Sequence, residues 1–325
     1  MSHLLGFGGY VPARIVTNDD WAKMVDTSDE WITQRTGIKS RRFAADDETT
    51  MTLAAAAAEV ALFDAGVGPE DIDEIVLATD TPEMFTPDTA ALVQDRLGCG
   101  NIPTYDLGGS GCAGFIQAMD VARSRIAFEP KTVLVIGVEL ITRLISHEDR
   151  ATAVLFGDGA GAVVMGPAPG RAQILDVVAG TDGSSAEILT LAAGGTRNPF
   201  NEHSLASGDY NRLVMDGRKV FIEAVRWMSD ASNEVLRRVG RSLSDVALVI
   251  PHQANLRIID AVRKKLGLDE EQMYVNIQEY GNIGSATVPF ALWEAVRDGR
   301  IEHGDLVILT AFGAGFHWAA AAIQF

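Results

Sequence analysis

The sequence has few of the residues that form disulfides or bind metals. It contains only two cysteines among 325 residues, Cys99 and Cys112, so a disulfide framework is excluded as the source of its stability. Its six histidines are scattered, and none has the spacing to a second histidine or a cysteine that a metal site usually shows. We therefore expect a protein without a bound metal.

The sequence also lacks a positive charge balance and any long hydrophobic run. Its 27 lysines and arginines stand against 44 aspartates and glutamates, which gives a formal net charge of -17 and argues against nucleic acid as a partner. No stretch of about 18 apolar residues occurs, and the N-terminus lacks a basic region followed by a sustained apolar one. We expect a cytoplasmic protein that does not insert into a membrane.

One pattern of buried strands and helices occurs twice in the chain. Ile75 and Leu248 lie in similar apolar strands 173 residues apart, and Thr132 and Asp305 open a second pair of strands at the same spacing. The triplets 111–113 and 284–286 share this offset, and each precedes an apolar helical run. So long a period predicts two similar α/β halves packed face to face, with a boundary near 166–171. Chance similarity among strands rich in Val, Ile and Leu is the alternative.

Cys112 follows a strand and a turn of small residues, and it precedes a helix. A cysteine at a helix N-terminus lies near unpaired N–H groups and the positive end of the helix dipole, which predicts a thiolate able to attack a thioester. The small residues before it would let a substrate carbonyl approach backbone N–H donors. On this segment alone, an inert cysteine in a structural turn is an equal alternative. Cys99 lies in a turn without that context, and we interpret it as structural.

A histidine and an asparagine occupy comparable turns in the second half. His252 follows the apolar strand 246–250, at the strand end where α/β sheets place active sites, and an imidazole there can donate a hydrogen bond or accept a proton. Asn282 lies in a glycine-flanked loop near the triplet that the duplication sets opposite Cys112. Taken singly, a helix-capping histidine and a turn asparagine are the simpler readings. All three together at strand-end turns favour a catalytic site.

Six groups of segments in one order carry a resemblance that covers nearly the whole chain. They are Asp29-Glu30-Trp31-Ile32 with Arg35-Thr36-Gly37-Ile38, Cys112-Ala113-Gly114-Phe115, Phe156-Gly157-Asp158-Gly159-Ala160-Gly161, Pro251-His252-Gln253-Ala254-Asn255, Gly281-Asn282, and Gly313-Ala314-Gly315-Phe316-His317-Trp318. The chain resembles the β-ketoacyl-acyl carrier protein synthase III family of the thiolase superfamily. This resemblance implies a homodimer and a thiolase-like α/β fold, with duplicated halves 1–168 and 169–325 in an α-β-α-β-α arrangement.

The resemblance implies a role for each of the three residues. In the family the cysteine takes an acyl group from acyl-coenzyme A (acyl-CoA). The histidine and the asparagine then bind malonyl-acyl carrier protein and stabilise the enolate formed on decarboxylation. These roles fall on Cys112, His252 and Asn282, and the products are 3-oxoacyl-acyl carrier protein, CoA and CO2 at the start of fatty acid synthesis. Two fixed donors on a thioester oxygen suffice for this chemistry, so no metal or cofactor is expected.

Residues around the site match further family positions. Contacts to CoA are implied for Trp31, Arg35 and Arg150. A basic patch that would dock the acidic carrier protein comprises Arg257, Arg263, Lys264 and Lys265, with a solvated helix face as the alternative. The active-site wall and oxyanion region are implied for Phe312, Gly313, Ala314 and Gly315. The acyl pocket is implied for Phe156 and for Thr86, where the partner of the dimer reaches in.

The chain departs from the family pattern in three places. The stretch 108–111 before Cys112 is glycine-rich and one residue longer than the usual alanine-rich form. Ala314 replaces a common glycine, and His317 stands where a small polar residue is usual. The small Thr86 would leave room for a longer or branched acyl chain.

Two rival functions stay open on the sequence alone. One is a related acyltransferase or ketosynthase of specialised metabolism that uses a different acceptor. The other is a non-catalytic subunit that binds carrier protein, although such a subunit has no need of Cys112, His252 and Asn282 together. A degradative thiolase is nearly excluded, since its second cysteine would follow Cys112 and none does.

Overall fold

A computed structural model describes residues 1–325 and contains thirteen strands. They are β1 (Ser2–Tyr10), β2 (Arg14–Thr17), β3 (Ser40–Phe43), β4 (Glu74–Ala78), β5 (Thr104–Leu107), β6 (Val133–Leu140), β7 (Asp158–Gly166), β8 (Ala172–Thr181), β9 (Leu189–Leu191), β10 (Leu213–Met215), β11 (Val246–Pro251), β12 (Leu306–Gly313) and β13 (His317–Gln324).

Twelve α-helices connect or cover these strands. They are α1 (Asn18–Trp21), α2 (Asp29–Thr36), α3 (Thr50–Ala65), α4 (Thr89–Leu97), α5 (Gly114–Phe128), α6 (Ile141–Leu144), α7 (Arg150–Ala153), α8 (Glu202–Ser207), α9 (Gly217–Arg238), α10 (Leu256–Leu266), α11 (Ile277–Tyr280) and α12 (Thr287–Arg297). None of them is long and apolar enough to cross a membrane.

The nine strands of the central sheet fall into two halves whose strands follow one another in the same spatial order. The first half runs β5-β4-β6-β7-β1 and the second runs β11-β12-β13-β8, with Met273 bridged to Val249 beside β11 in the place that β5 takes in the first half. A short antiparallel pairing of β1 with β8 joins the two halves. Strands β6 and β12 start 173 residues apart, at Val133 and Leu306, so the predicted duplication is confirmed. Division of the chain at 168/169 stays a prediction.

Helices and sheets alternate in five layers, as the thiolase-like arrangement predicts. Helix α3 packs on the outer face of β1, β6 and β7, and α9 packs on the outer face of β8, β12 and β13. Helices α5 and α12 lie between the two halves and contact strands of both. Three large apolar clusters fill the inner layer and the two outer interfaces. The inner layer therefore carries the turns of both halves that precede α5 and α12.

Glycines bring the two halves into backbone contact near these turns. A Cβ on Gly137 of β6 would lie 2.6 Å from the carbonyl oxygen of Ser285, and one on Gly161 of β7 would lie 2.5 Å from the backbone nitrogen of Phe290. Side chains cannot be accommodated at such distances, so the start of α12 is seated directly on the first sheet. The loop that carries Asn282 is thereby fixed relative to the half that carries Cys112.

Strand β5, which leads into the turn before Cys112, forms one edge of the sheet and pairs only with β4. Its Asp106 carboxylate accepts the N–H groups of Thr89 at 2.7 Å and Ala90 at 2.9 Å. These are the first two residues of α4, whose own preceding residue, Asp88, makes no side-chain cap. The edge strand therefore supplies the N-terminal cap of α4.

Arg41 on β3 is fully buried without a carboxylate partner. Its guanidinium donates to the Val16 carbonyl at 3.2 Å, to Asn18 Oδ1 at 2.8 Å and to the Val154 carbonyl at 2.6 Å. Burial lowers the pKa of Arg41 to about 10, so the group is still charged at neutral pH. One side chain thus ties β2 and α1 to the segment that leads to Phe156.

We expect Arg41→Met to lower the free energy of unfolding by about 3 kcal/mol, because each buried acceptor left without its donor costs about 1–3 kcal/mol. The neighbouring Arg42 is only half-buried and makes one long side-chain bond, to the Pro12 carbonyl at 3.4 Å, so Arg42→Met is the matched control. Denaturant unfolding followed by circular dichroism measures both variants. Equal losses in the two would contradict the role given to Arg41.

Candidate active site

A cavity of about 610 Å³ opens between the two halves of the fold. Cys112, His252 and Asn282 all line it, so the structure brings together the three residues that the sequence predicted. Phe156, Phe312 and other apolar side chains form most of its wall. Each of the three residues comes from a different turn, and the layered fold is what makes these turns converge.

Cys112 lies in a one-turn 3₁₀ helix, Gly111–Ala113, which runs directly into α5. The end of β12 packs against this turn, and a Cβ on Gly313 would collide with the backbone nitrogen of Cys112. A Cβ on Gly111, whose φ is 56°, would lie 2.6 Å from the backbone nitrogen of Ala314. Glycine at both positions lets the first half present the thiol at the boundary with the second half.

The surroundings of Cys112 oppose its ionisation. Burial raises the pKa of the thiol well above its usual range, and the nearby carboxylates of Asp80 and Glu139 raise it further. A helix N-terminus contributes only about 0.3–1 kcal/mol towards the thiolate, and the pKa of the thiol is raised in spite of it. The sequence-based expectation of a resting thiolate therefore gives way to a resting thiol.

His252 is buried just after β11, and its backbone N–H donates to the Thr310 carbonyl of β12 at 2.8 Å. Burial lowers the pKa of the imidazole to about 3, so the ring is neutral at physiological pH. Its Nδ1 lies 2.6 Å from Thr287 Oγ1, which also lies 3.0 Å from the Gly284 carbonyl. The Thr287 hydroxyl has one proton: when it goes to the Gly284 carbonyl the ring proton lies on Nδ1, and when it goes to Nδ1 the ring proton lies on Nε2. The second arrangement is the one in which His252 donates into the cavity.

Asn282 is held by its own backbone and by the next turn. Its N–H donates to the Leu155 carbonyl at 2.8 Å, and its carbonyl accepts the Gly157 N–H at 3.1 Å. The side-chain Oδ1 accepts the Gly284 N–H at 2.9 Å. Because Oδ1 is occupied in this way, the amide nitrogen Nδ2 is the atom left to donate to a ligand in the cavity.

At the mouth of the cavity, two arginine side chains stack on a tryptophan ring. The guanidinium carbon of Arg35 is 4.4 Å from the centroid of the Trp31 ring, and that of Arg150 is 4.9 Å from it. Trp31 and Arg35 line the cavity, while Arg150 lies behind the ring and contacts Asp26. Exposed Arg218 and Arg257 also line the cavity and add two positive charges. Arg218 carried no motif signal in the sequence.

The predicted basic patch on α10 is only partly free. Arg257 and Lys264 are exposed and stand seven positions apart in the chain, so they share a face of the helix. Arg263 is half-buried near Asp260 and Glu270, and Lys265 pairs with Asp230 of α9 at 3.2 Å. Arg257 and Lys264, which are exposed and form no ion pair, are therefore the ones available to a partner.

Three residues predicted for the active-site wall and the acyl pocket do not line the cavity that one chain forms. Phe312 and Gly313 line the cavity, but Ala314 and Gly315 follow them outside its lining. Thr86 is exposed next to Phe85, whose side chain is 81% exposed, and it touches no part of this cavity. A role for Thr86 in an acyl pocket therefore requires a second copy of the chain.

Three polar residues near the site were not identified from the sequence. Asp80 follows the end of β4, Glu139 lies inside the apolar strand β6, and Thr287 opens α12. A lone glutamate in Val133-Leu134-Val135-Ile136-Gly137-Val138-Glu139 was the one usable signal. No group of three or more His, Cys, Asp or Glu side chains is placed to hold a metal ion.

Comparison with known proteins points to the same family as the motifs in the sequence. Family profiles described as 3-oxoacyl-[acyl-carrier-protein (ACP)] synthase III and its C-terminal part match residues 105–183 and 236–325. The chain is 45% identical over 322 residues to β-ketoacyl-[acyl-carrier-protein] synthase III of Caldanaerobacter subterraneus subsp. tengcongensis, covering 99% of this chain and 97% of the relative.

Two solved structures show the same fold over the whole chain. The 3-oxoacyl-[acyl-carrier-protein] synthase III from Aquifex aeolicus VF5 superposes with a TM-score of 0.92 at 43% identity, covering 100% of both chains. The β-ketoacyl-[acyl carrier protein] synthase III from Thermus thermophilus superposes with a TM-score of 0.91 at 45% identity, covering 99% of this chain and 98% of the other. The chain therefore belongs to the β-ketoacyl-[acyl-carrier-protein] synthase III family of thiolase-like condensing enzymes.

Proposed function

We propose that the chain acylates itself on Cys112 from acyl-CoA and joins that acyl group to malonyl-acyl carrier protein with loss of CO2. The observation that carries this proposal is the convergence of Cys112, His252 and Asn282 on one cavity of about 610 Å³. The reaction gives 3-oxoacyl-acyl carrier protein and starts fatty acid synthesis. Acyl-CoA is a substrate here, and the proposal involves no metal or cofactor.

In the first step Cys112 exchanges its proton for an acyl group. The Cys112 sulfur attacks the thioester carbonyl of acyl-CoA, the bond from that carbonyl to the CoA sulfur breaks, and the thiol proton ends on the CoA sulfur. The apolar cavity wall of Leu189, Met215, Phe221 and Met228 suits an acyl chain. Trp31, Arg35 and Arg150 suit the adenine and phosphates of CoA, since a ring stacks on a base and guanidinium groups pair with phosphate.

In the second step the charge develops on a thioester oxygen. Loss of CO2 from the malonyl group leaves an enolate, whose oxygen accepts hydrogen bonds from Nε2 of His252 and Nδ2 of Asn282. The enolate carbon attacks the acyl carbonyl, and the bond to the Cys112 sulfur breaks. The released thiolate then takes a proton, which its raised pKa favours. A histidine with a pKa of about 3 stays neutral throughout and acts as a donor without charge.

The carrier protein and a second copy of the chain belong to the same proposal. A docking face of exposed Arg257 and Lys264 on α10, flanked by Arg263 and Lys265, is supported by the place of Arg257 in the cavity lining and by the net charge of -17 on the whole chain. A homodimer is supported by the exposed Phe85 and Thr86 and by the open edge of β5.

We also propose that residues 1–168 and 169–325 are the two structural units of the chain, and that the protein is cytoplasmic.

We expect Cys112→Ala to abolish self-acylation, and His252→Ala and Asn282→Ala to acylate normally but lose about 10²–10³-fold in decarboxylative turnover, because each removes one donor to the enolate oxygen. Intact-protein mass after incubation with a panel of acyl-CoA thioesters, followed by malonyl-acyl carrier protein, measures both steps. Normal malonyl decarboxylation in His252→Ala would contradict the role given to the histidine. An acylated enzyme that malonyl-acyl carrier protein does not discharge would indicate a different acceptor.

We expect Thr287→Val to slow condensation about 10-fold while leaving acylation near the wild-type rate, because the buried Nδ1 of His252 loses its hydroxyl partner and the ring loses its orientation. Thr287→Ser keeps the hydroxyl and is the matched control. Single-turnover discharge of pre-acylated enzyme separates condensation from acylation. A Thr287→Ser variant as slow as Thr287→Val would show that packing of the methyl group matters, and not the hydrogen bond.

A further inference from the structure

Glu294 on α12 is a buried acidic residue to which the proposed reaction assigns no step. Its Oε2 accepts hydrogen bonds from the Tyr274 hydroxyl at 3.0 Å and from Asn276 Nδ2 at 2.9 Å. Its Oε1 accepts one from the Tyr280 hydroxyl at 2.8 Å, and half-exposed Arg297 adds a longer contact of 3.4 Å. Three neutral donors from one segment of the chain therefore converge on a single acidic side chain.

One branch of this network leads to the loop that carries Asn282. Tyr280 is the last residue of α11, and Gly281 with φ 65° turns the chain from it into Asn282. The Tyr280 ring also packs edge-on against Phe290 of α12, with the ring centroids 4.8 Å apart. A Cβ on Gly281 would lie 2.9 Å from the Leu155 carbonyl oxygen, so the loop lies between α12 and the first half. The hydroxyl bond of Tyr280 holds its α12 side.

The other branch leads to the His252 turn through Gln253, which directly follows His252 and is buried. The Oε1 of Gln253 accepts the backbone N–H of Asn276 at 3.1 Å, and its Nε2 donates to the Tyr274 carbonyl at 3.2 Å. Asn276 therefore binds Gln253 with its backbone and Glu294 with its side chain. An unbroken chain of hydrogen bonds thus joins the neighbours of the two proposed enolate donors.

None of these hydrogen bonds involves the turn that carries Cys112. That turn is held by the end of β12, through the close approach of Gly313 and Ala314 to residues 111–112. The second step of the reaction needs His252 and Asn282 at a fixed separation, because both donate to one oxygen. A buried network whose members are all satisfied holds its groups in one arrangement. The two steps therefore depend on different parts of the structure.

We propose that Glu294 is a positioning residue for the second step: through Tyr280 and Asn276 it fixes the separation of the two enolate donors. The inference rests on the proposed function, because only a reaction that uses His252 and Asn282 together needs that separation. A misplacement of about 1 Å at a catalytic group costs about 10²-fold in rate. Loss of Glu294 is therefore expected to slow condensation much more than acylation.

The test measures both steps separately in the full-length enzyme. Intact-protein mass follows acylation by acetyl-CoA and isobutyryl-CoA, and then single-turnover discharge of the acylated enzyme by malonyl-acyl carrier protein. Glu294→Met removes the acceptor of all three donors, and we expect discharge to slow about 10- to 100-fold while acylation stays within about 2-fold of the wild type.

Glu294→Gln is the matched control for this variant. Its amide oxygen accepts from Tyr274 and Asn276, and its amide nitrogen donates to the Tyr280 hydroxyl oxygen, so every bond of the network has a counterpart. We expect both steps to proceed near the wild-type rate in Glu294→Gln. Discharge as slow as in Glu294→Met would contradict a role that depends on the hydrogen bonds.

Two tyrosine variants separate positioning from stability. Tyr280→Phe and Tyr274→Phe each remove one hydroxyl donor to the same carboxylate, but only Tyr280 stands next to the Asn282 loop. We expect Tyr280→Phe to slow discharge about 5-fold and Tyr274→Phe to leave it within about 2-fold of the wild type. Similar losses of melting temperature in the two variants, with unequal discharge, support positioning. This pair decides the matter if Glu294→Met does not fold.

The remaining outcomes overturn the inference or its premise. Equal slowing of acylation and discharge in Glu294→Met, or equal slowing of discharge in the two tyrosine variants, indicates a structural role and overturns the inference. Normal discharge of Glu294→Met refutes the inference alone. A wild type that is not acylated by acyl-CoA and then discharged by malonyl-acyl carrier protein refutes the proposed function, and the inference with it.

Discussion

The close approach of backbone to backbone between the two halves is the constraint on which the rest of the structure depends. Gly137 and Gly161 seat the start of α12 on the first sheet, and Gly313 admits the Cys112 turn against the end of β12. A Cβ at these points would lie 2.3–2.6 Å from backbone atoms of the other half, too close for the halves to meet as they do. The three strand-end turns converge on one cavity because the halves meet without side chains between them.

Much of this architecture could be predicted from the sequence, because duplication and strand ends leave local traces. The spacing of 173 residues between β6 and β12 and the positions of Cys112, His252 and Asn282 are visible in short segments. Ionisation is different, since the pKa of the Cys112 thiol depends first on its burial in the folded chain and then on Asp80 and Glu139, which are distant from it in sequence or look like ordinary residues. Even the basic patch was only partly predictable, because packing of α10 on α9 occupies Lys265.

The resting site carries little charge on its reacting groups. The thiol of Cys112 is held protonated and the imidazole of His252 is held neutral, in both cases chiefly by burial. Charge therefore appears only as bonds break, at the CoA sulfur in the first step and at the enolate oxygen in the second. Donors such as Asn282 Nδ2 are already oriented at that moment, so little reorganisation is needed to meet the new charge.

The strand that leads into the Cys112 turn is an edge strand of the sheet. Strand β5 has four residues and one neighbour, and its Asp106 caps α4. Asp106 therefore connects the start of α4 to the strand that leads into the Cys112 turn. Because β5 runs into the turn that carries Cys112, the support of the nucleophile depends on one neighbouring strand and one helix cap at the open edge of the sheet.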